Sequence, residues 1–286
     1  PGEPRGASGR MREGRAEVEG KLQLGICMGR PTVALAAQLS WAGCEYYEPP
    51  VAAGLMSLTP AAFDAELGGW SVGGLAPKSA NVLLPATLPV VGERVDDEAL
   101  EAYLREAMRR ARVLGLEVVV FGSGSARRVP EGFPIERARE QFGAALVLAA
   151  DLAGPGLVVA AEHLRRAETN LVNSLAEAAA LVRELDRENL AVVVDGYHLA
   201  EEGEDLASLR IAGGLVRHVH VAGAGRRPPE AADEDDLAQL LGELAHLGYE
   251  GRCSIEARWG DIASEAPGAL SIVRRAAGHA GFATGG

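Results

Sequence analysis

The sequence predicts a single-domain α/β fold, a closed (β/α)8 TIM barrel, and three observations carry that expectation. From Lys21 onward, short apolar runs rich in β-branched residues alternate with longer amphipathic stretches, and strand–helix alternation implies a parallel sheet. Several runs, such as EVVVFG, GLVVAAE and LAVVVDG, are almost continuously apolar, as strands buried on both faces are. Eight such units follow one another, which suits a closed barrel, a fold that uses roughly 250 residues as one domain. An open, doubly wound sheet shows the same alternation, but LGICMGRP after the first run lacks the G-x-G-x-x-G spacing of a dinucleotide fold.

The eight strand candidates are Leu22–Ile26, Cys44–Tyr47, Asn81–Leu84, Glu117–Phe121, Leu157–Ala161, Ala191–Val194, Val216–Val221 and Cys253–Ile255. The first helix, Pro31–Trp41, opens with a proline, whose missing N–H costs nothing in a first turn. Pro49–Ser79 is long and Gly-rich and reads as a large loop with one helix near Ala61–Leu67. Asp96–Leu114 places Leu100, Leu104, Met108 and Val113 at helical spacing. Ile135–Leu152, Ser174–Leu185, Leu206–Ala212, Asp235–Leu247 and Ser264–Ala277 complete the helices. Residues 1–20, rich in Gly, Arg and Glu, read as a disordered arm, 21–280 as the barrel, and 281–286 as a flexible tail.

Composition narrows the function. Of the 286 residues, 48% are hydrophobic and 24% charged, which excludes a disordered protein and a small disulfide-bonded module. The net charge of −12 repels phosphate backbones and argues against a nucleic-acid partner. Cys27, Cys44 and Cys253 form no C-x-x-C, so neither a zinc ribbon nor a redox pair is indicated, and a reducing, cytoplasmic setting is the simple expectation. No apolar stretch is long enough to span a bilayer, so no membrane partner is expected.

Chemistry concentrates at the ends of the late strands. Strands five to eight end at Glu162, Asp195, His220 and Glu256. A barrel brings these ends to one rim, where barrel enzymes keep their sites. The strand period of two puts Glu162 on one face with Val158 and Ala160, and His220 with His218. A lone residue of this kind is as readily a solvated polar group, but four at consecutive strand ends are not. Three converging carboxylates repel one another unless a cation lies between them. Three carboxylates and one imidazole suit Mn²⁺ or Mg²⁺, with Co²⁺ and Zn²⁺ also accommodated. Glu168, His198 and Arg226 follow on βα loops, the usual place for substrate contacts.

EHLRRAETN, VVVDGYH, HVHVAGAGRRPP and CSIEARW resemble the xylose-isomerase-like superfamily of sugar isomerases and epimerases. The resemblance runs from about Lys21 to about Ala277; VVVFGSGSARRVP and GCEYYEPP carry it more loosely. It implies that Glu162, Asp195, His220 and Glu256 hold one divalent metal ion, foremost Mn²⁺. It implies that Glu162 and Glu256 are also the proton-transfer pair, that His198 and Arg226 bind substrate oxygens, and that Glu168 is a substrate-contacting acid. Arg227-Pro228-Pro229 departs from the Pro-Gly of many relatives, which leaves loop shape and substrate identity open.

The implied activity is isomerisation or epimerisation of a sugar, sugar phosphate or related polyol through an enediolate. A lyase or dehydratase of the same superfamily has the same metal site. An endonuclease-IV-like phosphodiesterase needs His on strands three and four, where none stands. A non-catalytic sugar-binding protein is the third class. Relatives often pair through barrel helices, so a homodimer is the expected assembly.

Three further features have two readings each, and a fourth has one. Gly122–Arg128 after strand four either cradles a phosphate with Arg127 or Arg128, or is a turn of small residues. Glu48 either reaches a substrate hydroxyl or forms a rim salt bridge. Trp259 either walls the pocket or packs in the core. His163, next to Glu162, points away from the cavity and reads as structural.

Overall fold

The computed structural model describes residues 20–283. Its strands are β1 (Leu22–Cys27), β2 (Tyr46–Glu48), β3 (Ser79–Ala80), β4 (Val118–Phe121), β5 (Val158–Glu162), β6 (Leu190–Asp195), β7 (Val216–Val221) and β8 (Gly251–Ile255). They form one eight-stranded sheet in the order β2-β1-β8-β7-β6-β5-β4-β3, parallel at every pairing. The two ends of that sheet meet through isolated bridges, Tyr47 to Pro77 and Pro50 to Asn81. The sheet is therefore a barrel, nearly closed, as the alternation predicts.

Helices surround it: α1 (Val33–Trp41), α2 (Pro60–Ala65), α3 (Asp97–Val113), α4 (Ile135–Ala153), α5 (Leu175–Leu185), α6 (Gly196–Glu202), α7 (Ser208–Ala212), α8 (Glu234–His246) and α9 (Ile262–His279). Thr32, Thr59, Asp96, Ser174, Asp195 and Asp261 cap helix starts, each accepting a backbone N–H, as short polar side chains do. No helix among the described residues is long and apolar enough to cross a membrane.

Strand alternation builds two cores. Val118, Val120, Ala160, Ala191 and Val193 fill the barrel interior. Their neighbours Val119, Val159, Ala161, Val192 and Val194 face outward and pack with helix residues such as Leu104, Leu146, Leu181 and Leu270. Gly25 makes room inside, because a Cβ there would meet the Tyr46 ring at 2.3 Å. The Tyr46 ring thus enters the barrel, where its hydroxyl meets Ser254 Oγ at 2.8 Å.

Three expectations need correction. The third strand is Ser79–Ala80, not Asn81–Leu84. Val82 takes a φ of 47°, so the chain leaves the sheet there, and Leu83 and Leu84 bury themselves in the outer core as loop residues. Val113 is half exposed, because the buried stripe of α3 runs from Met108 to Ala111 and five residues past Met108 lie well off that face. The tail 281–286 is docked over the part described: Phe282 is buried, and Ala283 N donates to Gly20 O at 2.9 Å. The predicted arm, residues 1–20, otherwise lies outside the described residues.

One buried cation ties α3 to the β2–α2 excursion. Arg110, almost wholly buried, donates to Leu55 O at 2.5 Å and Leu58 O at 2.9 Å and to Glu106 Oε1 at 2.6 Å. Hydrogen bonds from Arg109 and then Arg110 outweigh burial and pull the Glu106 carboxyl down to about 2. Glu106→Gln is expected to cost about 1.5–3 kcal/mol at neutral pH. Because the folded value lies below the unfolded one, this contribution is complete above pH 4.5 and fades as pH falls toward 2. Chemical denaturation of both proteins across that range checks it; a difference constant with pH would reject the assignment.

Candidate active site

The late strands end level with one another. Glu162 on β5 pairs with Val193 on β6, and Asp195 with His220 on β7. His220 pairs with Ser254 on β8, and Glu256 N then donates to Val221 O at 2.9 Å. The inward phase of each strand carries these side chains into the mouth of the barrel. Glu162, Asp195, His220 and Glu256 each offer a ligand atom, all within 4.8 Å of one another. His220 Nδ1 lies 3.1 Å from Glu162 Oε1, 3.2 Å from Glu256 Oε2 and 4.0 Å from Asp195 Oδ2.

The electrostatics of the cluster are those of carboxylates short of positive charge. Burial first, then Glu162 and Glu256, pushes the Asp195 carboxyl up to about 8. Burial opposes ionisation of Glu256 too, but His220 and Arg226 outweigh it and bring that carboxyl down to about 2. Burial depresses His220, while Glu48 and Glu256 raise it well above the ordinary imidazole range.

A divalent cation fits these donors. Asp195 Oδ1 caps α6, accepting from Tyr197 N at 2.8 Å and His198 N at 3.2 Å. Its Oδ2 is buried, faces the cluster and has no hydrogen-bond partner among the described residues. An orphan carboxylate oxygen among oxygen and imidazole donors is the chemistry of a hard-cation site.

The remaining predicted residues gather round this cluster. Arg226 binds Glu256 Oε2 and lies 3.4 Å from Glu168 Oε1 and 3.9 Å from Asp195 Oδ2. Its guanidinium sits 5.0 Å from the Tyr197 ring centre. Its backbone takes a φ of 66°, a conformation that non-glycine residues hold at a cost, and it places the side chain over the carboxylates. His198 stands on α6 rather than on a loop. Its Nδ1 accepts from Arg165 N at 3.3 Å, so the ring proton is on Nε2. Burial first, then Arg226, draws it down to about 4, so at neutral pH it is an uncharged donor. Nε2 lies 3.5 Å from Asp195 Oδ2.

Other features resolve one way or neither. Arg127 is buried with its guanidinium 5.1 Å from the Phe142 ring centre and without a hydrogen-bond partner among the described residues, and Arg128 donates to Ala167 O at 3.0 Å, so the two do not form an open cradle together. Trp259 packs against the core. His163 is buried 6.2 Å from the His198 ring and, desolvated, falls to about 3, which agrees with a structural role. Glu48 takes neither predicted role: it is fully buried and binds His218 and His220.

Two residues went unread in the sequence. Asn81 Nδ2 donates to Glu256 Oε1 at 3.0 Å and fixes that carboxylate; misplacing the third strand hid it. Gly122 ends the inward face of β4, and a Cβ there would sit 2.1 Å from Glu162 Oε2. Only the mobile end of Glu162 obstructs that Cβ. Gly122→Ala is therefore expected to fold but to swing Glu162 off the cluster, lowering Mn²⁺ affinity about tenfold or more. Calorimetric titration beside a thermal melt checks this; unchanged affinity would mean that Glu162 takes no part in the site.

Comparison with known proteins fits the geometry. A curated L-ribulose 3-epimerase of Mesorhizobium japonicum is 26% identical over 206 residues, 68% of this chain and 69% of that one. The solved structure of an L-ribulose 3-epimerase superposes with a TM-score of 0.75 at 21% identity, covering 91% of this chain and 95% of that one. A structure titled as IOLI protein with a bound zinc atom gives a TM-score of 0.64 at 19% identity over 90% and 97% of the two chains. The curated relatives are sugar epimerases, most of them matched over about a third of their length. With residues 37–275 matching its family description, and with eight parallel strands carrying the cluster at their C-terminal ends, the chain belongs to the xylose isomerase-like TIM barrel family.

Proposed function

We propose that the chain is a divalent-metal-dependent epimerase of an unphosphorylated ketose or a closely related keto sugar. The observation that carries this reading is the meeting of Glu162, Asp195, His220 and Glu256 within 4.8 Å at four consecutive strand ends. These four residues would hold the metal, and Mn²⁺ suits a set of three carboxylates and one imidazole. Bound there, it would supply Lewis-acid stabilisation of charge on substrate oxygens.

The chain's own residues do the rest. Glu162 on β5 and Glu256 on β8 stand three strands apart around the rim and reach His220 Nδ1 from either side of β7. A planar enediolate held between them presents one face to each carboxylate. One removes the C–H proton and the other returns a proton from the opposite side, which inverts the carbon. Arg226 offsets the charge on Glu256, and His198 Nε2–H and the Arg226 guanidinium donate to substrate oxygens as charge develops on them. Glu168 steadies Arg226. The relatives' chemistry favours return of the proton to the same carbon, hence epimerisation rather than isomerisation or dehydration. The burial of Arg127 favours a free sugar over a phosphate ester.

The test is proton exchange in D₂O. Protein supplied with Mn²⁺ is incubated with a panel of pentuloses, hexuloses, keto-inositols and their phosphates while NMR follows each C–H signal. Metal-dependent loss of one C–H signal with appearance of the epimer is the expected result. Loss of water instead would move the assignment to the lyase, and no exchange with metal demonstrably bound would sink the enediolate reading.

A further inference from the structure

We infer that Glu48 is the positioning residue of the metal site: it accepts a hydrogen bond from His220 Nε2–H and so commits Nδ1 to the cation. This rests on the metal-dependent reading above and assigns a role to a residue outside the four ligands.

Glu48 ends β2 on the inward face and is fully buried. Four protein donors surround its carboxylate. Oε2 accepts from Ser79 Oγ at 2.8 Å, from Ser254 Oγ at 2.5 Å and from His218 Nε2 at 2.7 Å. Oε1 lies 3.1 Å from His220 Nε2. These donors come from β3, β8 and β7, so the carboxylate is gripped from three strands besides its own. A buried carboxylate costs several kcal/mol unless its lone pairs are filled, and here they are.

A carboxylate that three donors already engage at Oε2 acts as an acceptor at Oε1 as well. The hydrogen at the His220–Glu48 contact therefore belongs to Nε2. Once His220 is neutral, its other nitrogen is a bare lone pair. That lone pair points at Glu162 Oε1 and Glu256 Oε2, 3.1 and 3.2 Å away. Three carboxylates and a lone pair repel, and only a cation among them makes the arrangement attractive. Glu48 thus sets ring orientation and tautomer together, and as an anion behind the imidazole it raises the basicity of Nδ1.

The same neighbourhood offers a rival reading, since Cys27 Sγ lies 3.9 Å from His220 Nε2 and Cys27, Glu48 and His220 could themselves hold a second cation. Three donors already crowd Glu48 Oε2, and a cation shared by Oε1 and His220 Nε2 would have to displace the contact between them, which argues against it.

Two measurements decide. Long-range ¹H–¹⁵N NMR on Zn²⁺-loaded native protein is expected to show His220 metallated at Nδ1, with a slowly exchanging, downfield proton on Nε2. Glu48→Gln is expected to lose that proton signature and to bind Zn²⁺ and Mn²⁺ about 10–100-fold more weakly, a loss that a shifted melting temperature alone does not produce. If Glu48→Gln does not fold, the NMR of the native protein still decides. Zinc on Nε2, affinity within twofold in a folded Glu48→Gln, or two zinc ions per chain falling to one in Cys27→Ser would each overturn this role while leaving the metal reading intact. No divalent cation bound to the native protein would overturn both.

Discussion

Glu162→Gln is expected to lower epimerisation roughly 10²–10⁴-fold at saturating Mn²⁺, and Glu256→Gln by a similar factor. The amide keeps the size of the carboxylate and an oxygen for the cation, so the larger part of the loss falls on proton transfer. The two variants should differ in a way that simple damage cannot imitate. In a two-base mechanism each epimer exposes its C–H to only one of the two carboxylates, Glu162 from β5 or Glu256 from β8. With Glu162 replaced, the epimer that Glu256 deprotonates should still exchange its proton with D₂O, without forming the other epimer. With Glu256 replaced, the opposite epimer should show the exchange. NMR of both epimers with both variants makes a four-way comparison. Equal loss of exchange for both epimers in both variants would rule out a two-base mechanism, and full turnover in either would remove that residue from the chemistry.

Asp195→Asn is expected to act in opposite directions on stability and on metal binding. In the metal-free protein burial and the neighbouring carboxylates hold the Asp195 carboxyl near 8, above its unfolded value of 3.8. The folded state then binds more protons than the unfolded state between those two values, so metal-free stability falls as pH rises through that window. Asparagine carries no proton to lose there and still caps α6, as asparagine does well. The variant should therefore melt higher than the native protein at pH 8 without metal. A cation binds the ionised form and displaces that proton, so native affinity for Mn²⁺ should rise up to about tenfold per pH unit from pH 5 to 8, and Asp195→Asn should bind more weakly throughout. His220→Ala removes the only nitrogen ligand and should lower occupancy further. Thermal melts with and without Mn²⁺, with metal content by elemental analysis, check all three. Native-like metal content in both variants would exclude the proposed ligand set.

The sequence made β5 and β6 legible because each was an apolar run ending in one ionisable residue, whereas β7 and β8 carry polar residues within the run. Period-two alternation put Glu162 on one face with Val158 and Ala160, and His220 with His218, without any knowledge of neighbours. His198, Arg226 and Glu168 were found by their distance past those ends, though His198 turned out to stand on α6, whose seven residues are too few to show a helical period. The early strands were harder to read. β3 is two residues long, and the apolar Val82-Leu83-Leu84 beyond it looked more like a strand than Ser79-Ala80 did. With β3 misplaced, Asn81 could not be seen to meet Glu256. Glu48 looked like a rim residue because it ends the second strand.

What the sequence by itself determined is the fold and the four strand-end residues that meet at the rim, since both follow from local patterns repeated along the chain. What only the tertiary structure decided is everything that depends on strands far apart in sequence meeting inside the barrel. Gly122 matters because Glu162 lies beside it on the next strand. Arg127 is buried over the Phe142 ring rather than exposed on its loop. Glu48 binds His220 across 172 residues, because β2 and β7 direct both side chains into the same interior. Hydrogen bonds and desolvation act over a few ångströms of space, and separation along the chain does not encode that distance.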